Sequence, residues 1–107
     1  MMKLSEMQQT FCFNIAMLIV WAYGQGYKIT LGESYNAAGI GHRVGSLHYV
    51  RLAQDLNLFK DGVYLTKSEE HKPLGEMWKT FNPLNRWGGD FKSRDGNHYS
   101  MEYEGRA

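Results

Sequence analysis

The stretch GSLHYVRLAQDLNLF, residues 45–59, decides how this 107-residue chain folds. It sets His48 seven residues ahead of Asp55 in a segment otherwise rich in leucine. Tyr49, Leu52, Leu56 and Phe59 have helical spacing, and on a helix a separation of seven returns His48 and Asp55 to one face. Yet Lys60-Asp61-Gly62, followed by VYLT, is a hairpin signal that favours strands on both sides. On one straight strand an odd separation points the two polar side chains to opposite faces. A strand that keeps both in one site must therefore bend between them. The pattern leaves helix and bent strand open.

Away from this stretch the elements are clearer. SEMQ at 5–8 fits a capping box, with Ser5 as N-cap and Gln8 reaching back. Phe11, Ile15, Leu18 and Ala22 continue at helical spacing until Gly24 and Gly26, and Met17, Val20 and Trp21 predict cover on more than one face. YKITLGESY, 27–35, is β-branched and aromatic and reads as a strand, whereas NAAGIGHRVG, 36–45, reads as a loop. A second helix starts near Pro73, carries the stripe Leu74, Met77, Trp78 and Phe81, and ends at Asn82-Pro83. RWGGDF then reads as a turn and HYSMEY as a closing strand.

Composition fits one domain spanning 1–107, with 43% hydrophobic and 14% aromatic residues. A chain of this length buries roughly 65% of its unfolded surface, enough to fold without staples. Twelve basic against 11 acidic residues give a net charge of +1, with no block of like sign. The electrostatic footprint of a nucleic-acid binder is missing. The apolar run at 11–23 is too short to span a bilayer, so no stable membrane insertion is expected. Cys12, the only cysteine, permits neither an intrachain disulfide nor a cysteine zinc site, and reads as a small buried thiol between Phe11 and Phe13.

A water-activating zinc site needs three side-chain ligands, an open position and a nearby carboxylate. His48, Asp55 and His98 can supply the ligands, and Asp95, three residues before His98, the base. Each also has an ordinary reading. His48 could be a hydrogen-bonded histidine, Asp55 could pair with Arg51, and Asp95-Gly96-Asn97 is common turn chemistry. His42 reads as a loop residue, His71 as an exposed residue of a first helical turn, and Asp90 as a turn residue that could compete with Asp95.

SLHYVRLAQDL resembles the Ser-x-His-(x)6-Asp signature of the D-Ala-D-Ala carboxypeptidase and L-alanyl-D-glutamate endopeptidase metallopeptidases, through Ser46, His48, Ala53 and Asp55. DGNH at 95–98 is similar to the family's second motif, and WGGDF at 87–91 to the segment preceding it in bacteriophage endolysins of the group. The resemblance implies a small α+β fold, hedgehog or D-Ala-D-Ala peptidase-like, with two to three helices packed on an antiparallel sheet. It thereby favours strand and loop around His48. It also implies Zn2+ held by His48, Asp55 and His98, with Asp95 as general base and Ser46 supporting the site by a hydrogen bond near the substrate, where Arg43 is also placed; Trp87 reads equally as a wall of the substrate cleft or as core. Asn36 departs from the pattern, since phage relatives carry an arginine there, and Arg43 is the candidate substitute.

The implied function is zinc-dependent hydrolysis of a peptidoglycan stem-peptide bond, as L-Ala–D-Glu endopeptidase or D-Ala carboxypeptidase, by a phage endolysin. Such a protein is expected to be a monomer without a separate wall-binding module. It would wait in the host cytoplasm and reach the cell wall and periplasm once a holin permeabilises the membrane. The alternative is a non-catalytic binding protein that keeps the metal for stability.

Overall fold

The structure, a computed structural model, describes residues 2–32 and 46–107. Helix α1 (Leu4–Gly24) precedes strand β1 (Tyr27–Leu31). A 3-10 helix (Leu47–Val50) leads into β2 (Ala53–Lys60), and β2 turns back as β3 (Val63–Leu65). A second 3-10 helix (Ser68–His71) runs into α2 (Lys72–Phe81), followed by β4 (Asn85–Trp87), a third 3-10 turn (Gly88–Asp90) and β5 (His98–Met101). The fold is a small α+β one, with two α-helices against an antiparallel sheet, as the resemblance implies.

The long strand β2 organises the sheet. β1 pairs along its residues 56–60, while β3 takes residues 58–60 and β5 residues 53–55. β4 completes the order β1-β2-β5-β4. Between β2 and β3 both turn residues have positive φ, Asp61 at 52° and Gly62 at 78°. That is the handedness a two-residue hairpin needs, so the Asp-Gly signal is realised. The period of two then separates the faces of β2: Leu56 and Leu58 turn into the core, and Asp55 turns to the other side.

The helices cover the core face. Met7, Phe11, Leu18 and Ala22 of α1 are buried, with Leu74 and Trp78 of α2. The Trp78 ring meets Phe11 edge-on at 5.6 Å and Tyr99 at 6.1 Å, and its Nε1–H donates to the carbonyls of Arg86 and Ser100. A fully enclosed Trp of this kind is worth about 3–5 kcal/mol against alanine. The predicted stripe of α2 holds from Pro73 to Phe81.

Three expectations are corrected. The cap of α1 is two residues earlier than Ser5: the Lys3 amide donates to Glu6 Oε1 at 3.0 Å, because the helix begins at Leu4. Nor is α1 covered on several sides, since Phe13 is 65% and Val20 74% exposed. Cys12 faces outward with them, because at 100° per residue a neighbour of buried Phe11 need not share its side. Among the described residues no helix is long and apolar enough to cross a membrane.

Candidate metal centre

Three separate elements deliver the candidate ligands. Ser46 caps the first 3-10 helix, its Oγ accepting from the His48 amide at 3.2 Å. His48 thereby sits on a short, fixed turn and is buried. Arg51 then takes the left-handed conformation, φ 55°, and ends the turn. This is the bend that the separation of seven between His48 and Asp55 requires; beyond it the chain is extended and Asp55 lies on β2. His98 opens β5, directly opposite Asp55 in the antiparallel register. Directly opposed side chains share a face, with Cβ atoms roughly 5 Å apart.

The three side chains converge. Asp55 Oδ1 lies 3.4 Å from His48 Nε2 and 3.7 Å from His98 Nδ1, and all three candidate ligand atoms fall within 4.8 Å of one another. Around a tetrahedral zinc with bonds near 2.0–2.1 Å, ligand atoms are separated by roughly 3.3–3.4 Å. The spacing therefore fits a cation at the centre. The His48 and His98 rings stand edge to face at 5.2 Å, and Phe91 flanks His98 at 5.4 Å.

Asp55 Oδ1 is buried and makes no hydrogen bond among the described residues. A buried carboxylate oxygen without a partner is costly, and a cation between the two imidazoles removes that cost. Burial by itself would raise the Asp55 pKa, but the facing His48 and then His98 outweigh it and hold the carboxyl at about 2. The Asp55 carboxylate is thus ionised near neutral pH. On the far side of His98, Nε2 lies 3.0 Å from the Ala107 backbone oxygen.

A family model described as D-alanyl-D-alanine carboxypeptidase matches residues 40–101, a span that contains every candidate ligand. The chain belongs to this family. It is accordingly a metallopeptidase, of a family that uses zinc. The D-alanyl-D-alanine carboxypeptidase fold also appears in two solved structures. The L-Ala D-Glu endopeptidase ChiX of Serratia marcescens superposes with a TM-score of 0.69 at 16% identity, covering 86% of this chain and 77% of that one. A point mutant of the vancomycin resistance D,D-pentapeptidase VanY, solved with Zn(II), gives 0.60 at 18% identity, covering 85% and 70%. Curated protein sequences give no match.

The other residues singled out from the sequence have varied fates. Asp95 is exposed on the loop leading to His98; its amide donates to Gly88 O at 2.9 Å and its carbonyl accepts from the His98 amide at 3.1 Å. Trp87, open between cleft wall and core on its sequence, is 3% exposed. Its Nε1–H donates to Gly96 O at 2.7 Å, so it supports the 94–97 loop from below. Asp90 is paired with Lys79 at 2.8 Å on the surface. Arg43, His42 and Asn36 lie outside the described residues.

His71 was expected to be exposed and is buried, with Nδ1 2.8 Å from the Tyr99 hydroxyl. Burial pushes its pKa down to about 4, against an opposing pull from Glu70. Burial likewise raises the Tyr99 phenol. No local pattern announces this contact, because its partner is 28 residues away.

Proposed function

We propose that the chain is a zinc-dependent peptidase that hydrolyses a peptidoglycan stem-peptide bond next to a D-residue, either L-Ala–D-Glu or one containing D-Ala. The observation that carries this is the buried Asp55 Oδ1, without a hydrogen bond and aimed between two imidazoles, in a chain whose family cuts such peptides. ChiX, an L-Ala D-Glu endopeptidase, and VanY, a D,D-pentapeptidase, support the substrate class and leave both bonds open.

His48 Nε2, Asp55 Oδ1 and His98 Nδ1 would hold the metal. When bound, zinc supplies a Lewis acid that polarises a carbonyl and makes water ionisable near neutral pH. Asp95 is the general base: its exposed carboxylate takes the proton of the attacking water and returns it to the leaving amide nitrogen. Ser46 holds the turn that aims His48. A hollow of about 250 Å³ borders Asp95, with Lys67 and Arg94 on its wall and none of the three ligands among its lining residues.

The finer role is that of a monomeric phage endolysin, supported by the likeness of WGGDF at 87–91 to that group. It would stay in the host cytoplasm until a holin opens the membrane, then act at the wall. Purified protein with zinc should release peptides from peptidoglycan, and His48→Ala or Asp95→Ala should abolish this. Equal release by those variants refutes the assignment, and stoichiometric zinc without any released peptide favours the non-catalytic alternative. For the endolysin role, cytoplasmic expression should be harmless until the membrane is permeabilised.

A further inference from the structure

His98 has a second partner that the catalytic reading does not use. After β5 the chain makes a tight reversal: the Tyr103 and Arg106 amides each donate to the other's carbonyl, at 3.0 and 2.9 Å. Glu104 and Gly105 take the left-handed region at φ 50° and 74°, the pair of conformations such a reversal demands. The Glu102 amide, bonded to Leu84 O at 2.8 Å, anchors the near side of the turn to the body of the domain. The reversal brings the backbone oxygen of Ala107 back over β5, where two side chains reach it. His98 Nε2 lies 3.0 Å away and the Ser100 hydroxyl 2.8 Å.

A backbone oxygen only accepts, so this hydrogen bond requires a proton on Nε2, and the neutral His98 ring that makes it presents its Nδ1 lone pair to the cluster with Asp55 Oδ1. Ser100, two residues along the same strand and fully buried, holds the accepting oxygen in place. Second partners of this kind orient a ligating imidazole and set its tautomer.

We propose that residues 103–107 are a positioning element for the metal site, in which the Ala107 oxygen, steadied by Ser100, fixes His98 in its Nε2–H tautomer and aims Nδ1 at the cation. This rests on His98 being a ligand, as proposed above. It assigns work to a turn that carries none of the family's motif residues.

The test uses a chain ending at residue 103, together with Ser100→Ala and Gly105→Val, the last straining the turn at its positive φ. In the metal-free protein at pH 8, imidazole 15N shifts should show His98 as Nε2–H in the wild type and as a tautomer mixture in the shortened chain. Zinc affinity, from competition with a chromophoric chelator, should weaken by roughly 10- to 100-fold in the shortened chain. Ser100→Ala and Gly105→Val should shift both readouts in the same direction, and they carry the test if the shortened chain does not fold by circular dichroism. Folded variants with wild-type tautomer and wild-type zinc affinity would overturn the proposal. His48→Ala separates the two layers. If it binds zinc as the wild type does, the ligand assignment fails, whereas a tautomer shift in the metal-free variants still upholds the positioning role.

Discussion

Gly88→Ala tests how tightly the loop beneath the metal site is built. Gly88 is the residue whose carbonyl accepts from the amides of Phe91 and Asp95. A methyl added there would overlap the Asp95 carbonyl oxygen and stand 2.9 Å from His98 Cβ. Ordinary carbon contact begins near 3.4 Å, so His98 would have to retreat by about 0.5 Å and the Asp95 peptide by more. Both residues belong to the proposed machinery, one as ligand and one as base. Overpacking of this order costs about 1–3 kcal/mol of stability. A displacement approaching 1 Å at reacting groups costs about 100-fold in rate. Peptide release from peptidoglycan by folded Gly88→Ala should therefore fall by about two orders of magnitude, with weaker zinc binding. Urea denaturation measures the stability loss in the same preparation. A folded variant with wild-type turnover and zinc affinity would show that the 88–98 loop has slack, and the close-fit reasoning would be wrong.

Three further outcomes follow from the same geometry. Trp87→Phe keeps the ring but strands the buried Gly96 carbonyl, so it should lose about 1–3 kcal/mol in urea denaturation. His71 titrates near 4 in the folded chain and 6.5 when unfolded, so the unfolded state binds its proton first as pH falls. Its contribution is complete above about pH 6.5 and lost progressively toward pH 4, by about 3 kcal/mol, and comparing stability at pH 7.5 and 4.5 with that of His71→Gln isolates it. Zinc at about 1,000 times its Kd should stabilise the protein by about 4 kcal/mol, a gain that a chelator removes and that Asp55→Asn never shows in thermal denaturation.

What could be seen in the residues alone divides along physical lines. The second helix and the Asp61-Gly62 hairpin were legible because their signals are local: a proline at the start, an apolar stripe, two residues that tolerate positive φ. The segment at 45–59 was ambiguous because its bend resides in one left-handed arginine, which no composition rule announces. Asp55 and His98 could be paired only through the two motifs, since 43 residues separate partners that the sheet sets face to face. His71 was misjudged, and Trp87 left open between cleft and core, for the same reason. A histidine beside two glutamates looks solvated until Tyr99 closes over it, and a tryptophan before two glycines looks like a cleft wall until Gly75 and Gly89 prove to be the space its ring occupies.

The direct opposition of Asp55 and His98 makes strand alignment and ligand geometry a single variable. Sliding β2 against β5 by one residue would turn one ligand toward the helices and strand the other. Insertions within residues 53–55 or 98–100 are thus forbidden by chemistry as well as by packing. The hairpin at Asp61-Gly62, beyond the paired ligands, is where this lineage can lengthen or graft new loops without unmaking its centre.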